Sequence, residues 1–289
     1  MRKEVIVAQG ISNRNGRALE FSITSSLSDL KNSQLTLKAS KDLEKDKYKF
    51  DSLALDLQEK YLLASDSITK WIYDSFSTDK ITIDKSSDNE KGSWDIQVSS
   101  QDKTINLSVK HNHSALKHPR PYSLAQMCGY KKGSPQDVKH RNNMRKLALN
   151  YRENAIDQIN FNENPTLLHD MLQGVSNACS ISINEWMNSD LSLPSNIFDF
   201  MVSKNFYQVV VSTKGKLSVN LYDYISIKPP TLLKIAADRH YLNMEFDNSW
   251  FLSARLHNAS SKIGSSNRQL SLKFDVQKIH GDVREISLI

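Results

Sequence analysis

The hydrophobic positions of this chain repeat with a helical period at first and switch to a period of two further on. Leu19, Ile23, Leu27 and Leu30 recur at helical spacing behind Asn15, which predicts an amphipathic helix over residues 16–30 with Asn15 as its cap and Glu20 at the edge of the apolar stripe. A polar, Lys-rich connection is expected over 31–50, and Leu57, Tyr61, Ala64, Ile68 and Trp71 mark a second helix. A Ser/Asp/Lys loop at 77–92 then leads into strands. Ile96 and Val98 alternate with Asp95 and Gln97, and Ile105, Leu107 and Val109 alternate with Asn106, Ser108 and Lys110. The polar Ser99–Lys103 stretch between them suits a hairpin loop. Residues 122–160 read as helical with a break at Gly133-Ser134-Pro135, and another helix is expected over 166–177, after Pro165. Strands follow at 206–211, 217–227, 241–246, 250–257 and 270–279. The class is α+β, with a helical front half around a hairpin and a β-rich back half.

The hairpin carries candidate chemistry. Side chains two apart share a strand face, so Ser108 and Lys110 project together, where Asp95 on the neighbouring strand meets them. Phosphodiester cleavage uses a divalent ion to polarise the phosphoryl oxygen and lower the pKa of water, and a carboxylate such as Asp95 suits magnesium. Lys110 would orient the water or stabilise charge on the phosphorane. By itself this pattern is weak, because a strand lysine near a strand aspartate is more often a surface pair.

The continuation is richer: His111, Asn112, His113, Lys117, His118 and Arg120 crowd one short run. That run, with Ser108-Val109-Lys110 before it, resembles the HaeIII-type family of type II restriction endonucleases, in which Ser-x-Lys-His-Asn-His leads into Ala-x-Lys-His-x-Arg. The stretch Arg255-Leu256-His257-Asn258-Ala259-Ser260, with Ser271-Leu272-Lys273-Phe274-Asp275 after it, is similar to further segments of the family, as is Gly16-Arg17-Ala18-Leu19-Glu20. The resemblance implies a PD-(D/E)XK core, a mixed sheet flanked by helices, in one nuclease domain over 1–289. Its catalytic core would span about 10–215 and a β-rich DNA-contacting region about 216–289. It also implies Mg2+-dependent cleavage of double-stranded DNA within GGCC. The expected metal ligands are Asp95 and Glu20, the latter standing in for the second acid whose place Ser108 holds. Catalysis is expected from Asp95, Ser108, Lys110 and Glu20. The expected DNA-binding residues are His111, Asn112, His113, Lys117, His118, Arg120, Arg255, His257, Asn258 and Lys262. Asp275 beside Lys273 reads as an edge pair, and Arg268 falls in an insertion relative to the family. A cognate DNA methyltransferase would be the functional partner, and the oligomeric state stays open, a homodimer included. A non-cleaving DNA-binding protein on the same fold is the alternative.

Composition adds little. A net charge of +6 and a pI near 9.1 favour a polyanionic partner. Lys131, Lys132, Lys139, His140, Arg141, Arg145 and Lys146 form a cluster that either tracks phosphates or is a solvated helix face. Cys128 and Cys179 stand in no ligand spacing, as expected of packing residues in a reduced compartment. The apolar run near the start is too short for a signal peptide, and no membrane span is expected, which points to a cytoplasmic protein.

Overall fold

A computed structural model describes residues 2–76, 80–86, 94–114, 116–202, 206–263 and 269–289, with side chains of the first helix described from Asn13 onward. In chain order the elements are α1 (Arg2–Ser28), β1 (Ser33–Leu35), α2 (Leu37–Asp51), α3 (Leu55–Phe76), β2 (Ile81–Lys85), β3 (Ile96–Ser99) and β4 (Thr104–His111). They continue with α4 (Leu124–Met127), α5 (Pro135–Asn154), α6 (Pro165–Met187), α7 (Leu193–Val202), β5 (Tyr207–Ser212), β6 (Ser218–Asp223), β7 (Leu233–Asp238), β8 (Tyr241–Phe246), β9 (Phe251–Asn258), β10 (Leu272–His280) and β11 (Arg284–Ser287). The α+β class is as expected.

The chain forms two discontinuous units, Met1–Ser114 with Asn205–Ile227 and Val283–Ile289, and Ala115–Lys204 with Lys228–Asp282. The boundaries of these units differ from the division expected near residue 216. β6 continues the first sheet as the antiparallel partner of β5, and β11 returns to pair with β6, because strands already in a sheet satisfy one another's backbone groups.

The first unit is built on a seven-stranded mixed sheet in the order β1-β2-β3-β4-β5-β6-β11. β1 runs parallel to β2 and β4 parallel to β5; the other neighbours are antiparallel. The register of β3 on β4 sets Ile96 opposite Leu107 and Val98 opposite Ile105, so the alternation in sequence becomes one apolar face. Leu19, Ile23 and Leu27 of α1 and Tyr61, Ala64, Ile68 and Ile72 of α3 belong to the same buried cluster as that face. Between the two helices Ser65 Oγ donates to Ser22 Oγ at 2.8 Å, which satisfies two hydroxyls inside the core.

Three local expectations are corrected. Asn15 lies within α1, since the helix runs from Arg2, and so does not cap it. The supposed connection over 31–50 contains β1 and α2; α2 is capped by Thr36, whose Oγ1 accepts from Ala39 N at 3.1 Å. Its lysine-rich composition concealed it. The loop expected at 77–92 contains β2, while 77–79 and 87–92 lie outside the described residues.

The second unit centres on a four-stranded antiparallel sheet in the order β10-β9-β8-β7, with α6 packed against β7, β8 and β9. Asn164 caps α6 ahead of Pro165, and Ser134 caps α5 ahead of Pro135, where the break was read. Gly281 has φ +144°, and a Cβ there would meet the Trp250 ring at 2.5 Å, so only glycine fits. Among the described residues no helix is long and apolar enough to cross a membrane.

Candidate active site

The end of the β3–β4 hairpin brings Asp95, Ser108 and Lys110 together in the first unit. Asp95 sits just before β3, its N–H donating to Leu107 O at 2.7 Å. Its carboxylate reaches past the end of the ladder, where Oδ2 accepts from Val109 N at 2.7 Å and from Ser108 Oγ at 3.3 Å. The carboxylate thus takes the place of the strand that β3 no longer supplies, a charge-assisted bond that fixes its direction. Lys110 Nζ lies 3.7 Å from the same Oδ2. Both side chains keep access to solvent, Asp95 at 29% and Lys110 at 25%. Ser108 is only 2% exposed. Its hydroxyl donates to Asp95 from inside the protein.

Glu20 enters from α1, which packs on β4. Its Oε2 is 3.1 Å from Arg17 Nη1 and 3.3 Å from Lys85 Nζ. Lys85 Nζ also lies 3.6 Å from Asp46 Oδ2, and Asp46 Oδ1 accepts from Lys49 at 2.7 Å. At 1% exposure Lys85 is one of the largest fully buried side chains. Burial, and then the negative charge of Asp95, hold the Glu20 carboxyl above its ordinary value, while Lys85 and Arg17 pull it down. Glu20 and Asp95 thus feel one another's charge.

Lys85 and Asp46 were missed in the sequence. The signal for Lys85 was present: Ile81, Ile83 and Lys85 are in phase, and β2 buries all three. A lysine continuing an inward-facing run must find acids inside. Asp46 gave no such sign, because α2 was read as a connection.

The remaining expected residues separate into different places. The run 111–120 divides, His111 to Ser114 falling in the first unit and Leu116 to Arg120 in the second. His111 Nε2 is 3.0 Å from Thr213 Oγ1, and the Asn112 side-chain carbonyl accepts from Thr213 N at 2.8 Å. These two tie the end of β4 to the end of β5, with Asn112 at φ 61°. Burial, with the charges of His113 and Lys214, lowers the His111 pKa and favours its neutral form. His113 is exposed. In the second unit Lys117 Nζ lies 4.3 Å from the Phe200 ring centroid, and burial lowers its pKa.

Arg255 and His257 share a face of β9, and both turn to Asp275 of β10. His257 Nε2 is 2.7 Å and Arg255 Nη2 3.6 Å from Asp275 Oδ2, while Lys273 Nζ and His118 Nδ1 are 3.4 and 3.6 Å from Oδ1. Asp275 is thus the hub of four basic groups, more than the edge pair expected with Lys273. Asn258 has the parity of Leu256 and donates to Ser260 O at 2.7 Å, so it ends the strand and does not extend the Arg255–His257 face. The basic cluster at 131–146 is not one surface. His140 is buried between Ser182 Oγ and Pro121 O, Arg141 is bound to Asp137 at 2.8 Å, and Lys139 pairs with Glu185 at 2.7 Å. Arg120 and Lys262 flank an open cleft of the second unit, and Arg268 lies outside the described residues.

Among the described residues, no group of three or more His, Cys, Asp or Glu comes together that could hold a metal ion. A cation here would rest on Asp95, Glu20, and backbone or water oxygens. No family model matches the chain, and neither does any curated protein or solved structure.

Proposed function

We propose that this protein is a magnesium-dependent type II restriction endonuclease of the HaeIII type, with a PD-(D/E)XK core, acting in the cytoplasm beside a DNA methyltransferase. One observation carries the reading: Asp95, fixed by Val109 N–H, holds Lys110 3.7 Å away at the accessible end of a β-hairpin, within the electrostatic reach of Glu20. A mixed sheet with helices on it supports the fold assignment.

Asp95 and Glu20 would hold Mg2+, which suits two mutually repelling hard carboxylates; when bound it polarises the phosphoryl oxygen and acidifies water. Lys110 stabilises charge developing on the phosphorane and orients the attacking water. Ser108 keeps Asp95 in its rotamer, and Lys85 keeps Glu20 directed inward. Digestion of plasmid DNA with magnesium, followed by sequencing of the ends, tests the reading. Cuts confined to one short motif, with GGCC expected from the resemblance, support it; intact plasmid across magnesium and manganese titrations refutes it.

A second reading, a sequence-specific DNA-binding protein that does not cleave, draws on the ion pairs that already engage Glu20. Duplex binding at one sequence without cleavage would favour it.

A further inference from the structure

The second unit contains an open cleft of about 510 Å³ whose described lining includes Arg120, Arg141 and Lys262 and the hydroxyls of Ser123, Ser260 and Ser271, with no carboxylate. Arg141 is held in place, its Nε donating to Asp137 Oδ1 at 2.8 Å and its Nη2 to Gln126 Oε1 at 3.3 Å. The Arg120 guanidinium and the Lys262 ammonium make no hydrogen bond or ion pair among the described residues. Of the three cations, one is neutralised by a buried acid and two are not. Lys85, Lys110, Lys139, Arg255 and Lys273, by contrast, each have an acid beside them.

We propose that this cleft binds a phosphate group. A planar guanidinium offers a fork of donors to a phosphate, an ammonium adds a point charge, and serine hydroxyls complete a tetrahedral anion's acceptor sites. Cations and hydroxyls without a carboxylate among the described lining residues suit an anion better than a metal or an amine. The proposal does not rest on the cleavage reading, because the residues lie outside the unit that holds Asp95 and Lys110. The phosphate belongs either to a nucleic-acid backbone or to a free phosphate ester.

The test uses the full chain in EDTA, with inorganic phosphate, thymidine 5′-monophosphate and a 16-base-pair duplex as probes, followed by calorimetry at two salt concentrations. The cleft variant is Arg120→Gln with Lys262→Gln; Arg141 is left alone because it balances buried Asp137. Lys131→Gln with Lys132→Gln removes the same charge elsewhere, and thermal melts check that both variants are folded. The cleft variant is expected to bind at least one probe tenfold or more weakly than the control variant does. If the duplex is the probe lost, the slope of log affinity on log salt should flatten by about one, for the one backbone phosphate the two cations share. A loss confined to the duplex identifies backbone phosphate, and a loss of monophosphate or inorganic phosphate identifies a free ester; either supports the cleft. Equal affinities of the two variants for all three probes, or no binding of any probe by the wild type, overturn it. A wild type that never cuts DNA but loses phosphate binding in the cleft variant would sink the nuclease reading and leave this one standing.

Discussion

Replacing Lys85 by methionine removes the cation on which Glu20 and Asp46 converge while keeping most of the length and volume of the side chain. Its Nζ lies 3.3 Å from one carboxylate and 3.6 Å from the other. At an effective dielectric constant of about 20, those separations correspond to roughly 5 kcal/mol of attraction each before desolvation is counted. Much of that gain offsets the several kcal/mol needed to strip water from the three ions. Breaking a buried pair from one side typically costs about 3–5 kcal/mol. Because Arg17 still faces Glu20 and Lys49 still faces Asp46, the lower end applies. A loss of about 3 kcal/mol should lower the melting temperature of the first unit by on the order of 6–12 °C, at roughly 2–4 °C per kcal/mol. Thermal unfolding followed by circular dichroism gives the shift, and hydrogen exchange of peptides from β2 to β4 assigns it to this unit. Adding Glu20→Gln to Lys85→Met removes one stranded charge and should recover part of the loss, a non-additivity that a double-mutant cycle measures. A Lys85→Met protein melting within 2 °C of wild type, at about 1 kcal/mol or less, would refute the claim that these ions hold the site together.

Other outcomes follow from the same geometry. Ser108→Ala removes a 3.3 Å hydrogen bond that only orients Asp95, so it should slow cleavage by about tenfold or less, in keeping with roughly 1 kcal/mol for such a bond; a single-turnover rate checks this, and a thousandfold loss would give the hydroxyl a direct role. Glu20→Gln should raise the magnesium concentration needed for half-maximal cleavage, since an amide is a poorer ligand for a hard cation; an unchanged titration would move the second ligand elsewhere. Burial raises the Asp275 pKa, but the hydrogen bond and charge of His257, with Lys273 and His118, outweigh it and leave the carboxyl below its usual value. A depressed acid stabilises the folded state above its unfolded pKa and loses that contribution as pH falls through the folded one. Asp275→Asn should therefore destabilise the second unit at pH 6–7 and converge on wild type as the pH drops below the ordinary aspartate range of about 4; melting curves that stay parallel down to pH 3 would contradict this.

The parts of the fold legible in the sequence are those where one period dominates. Leu19, Ile23 and Leu27 announced the buried stripe of α1, and Ile96, Val98, Ile105, Leu107 and Val109 announced the hairpin, because each set buries on one side only. β8, β9 and β10 were visible for the same reason. α2 was not, since its apolar residues are sparse among lysines and its burial rests on Ala39 and Asp46. The two-unit division was hidden too: it depends on β11 returning to β6 across 60 residues, and long-range pairing leaves no local periodicity. At the site, the alternation of β4 placed Lys110 beside Asp95 correctly, whereas the parity of Ser108, shared with Asn106 and Lys110, did not show that it would be buried. The Asn112 and Asn258 side chains, read as DNA contacts, also bond backbone at strand ends, which the sequence did not show, because short amides readily bond nearby backbone.

The central claim is that the Asp95–Lys110 end of the hairpin cleaves DNA, and Lys110→Ala tests it most directly. Single-turnover cleavage of plasmid DNA with saturating enzyme and magnesium would be measured for wild type and variant, alongside duplex binding in calcium. The account predicts cutting by the wild type, a rate lower by about two to four orders of magnitude in the variant, as for a lost electrostatic or proton-transfer group, and nearly equal binding by both. A variant cutting within tenfold of wild type, with binding intact, would remove this hairpin from the chemistry.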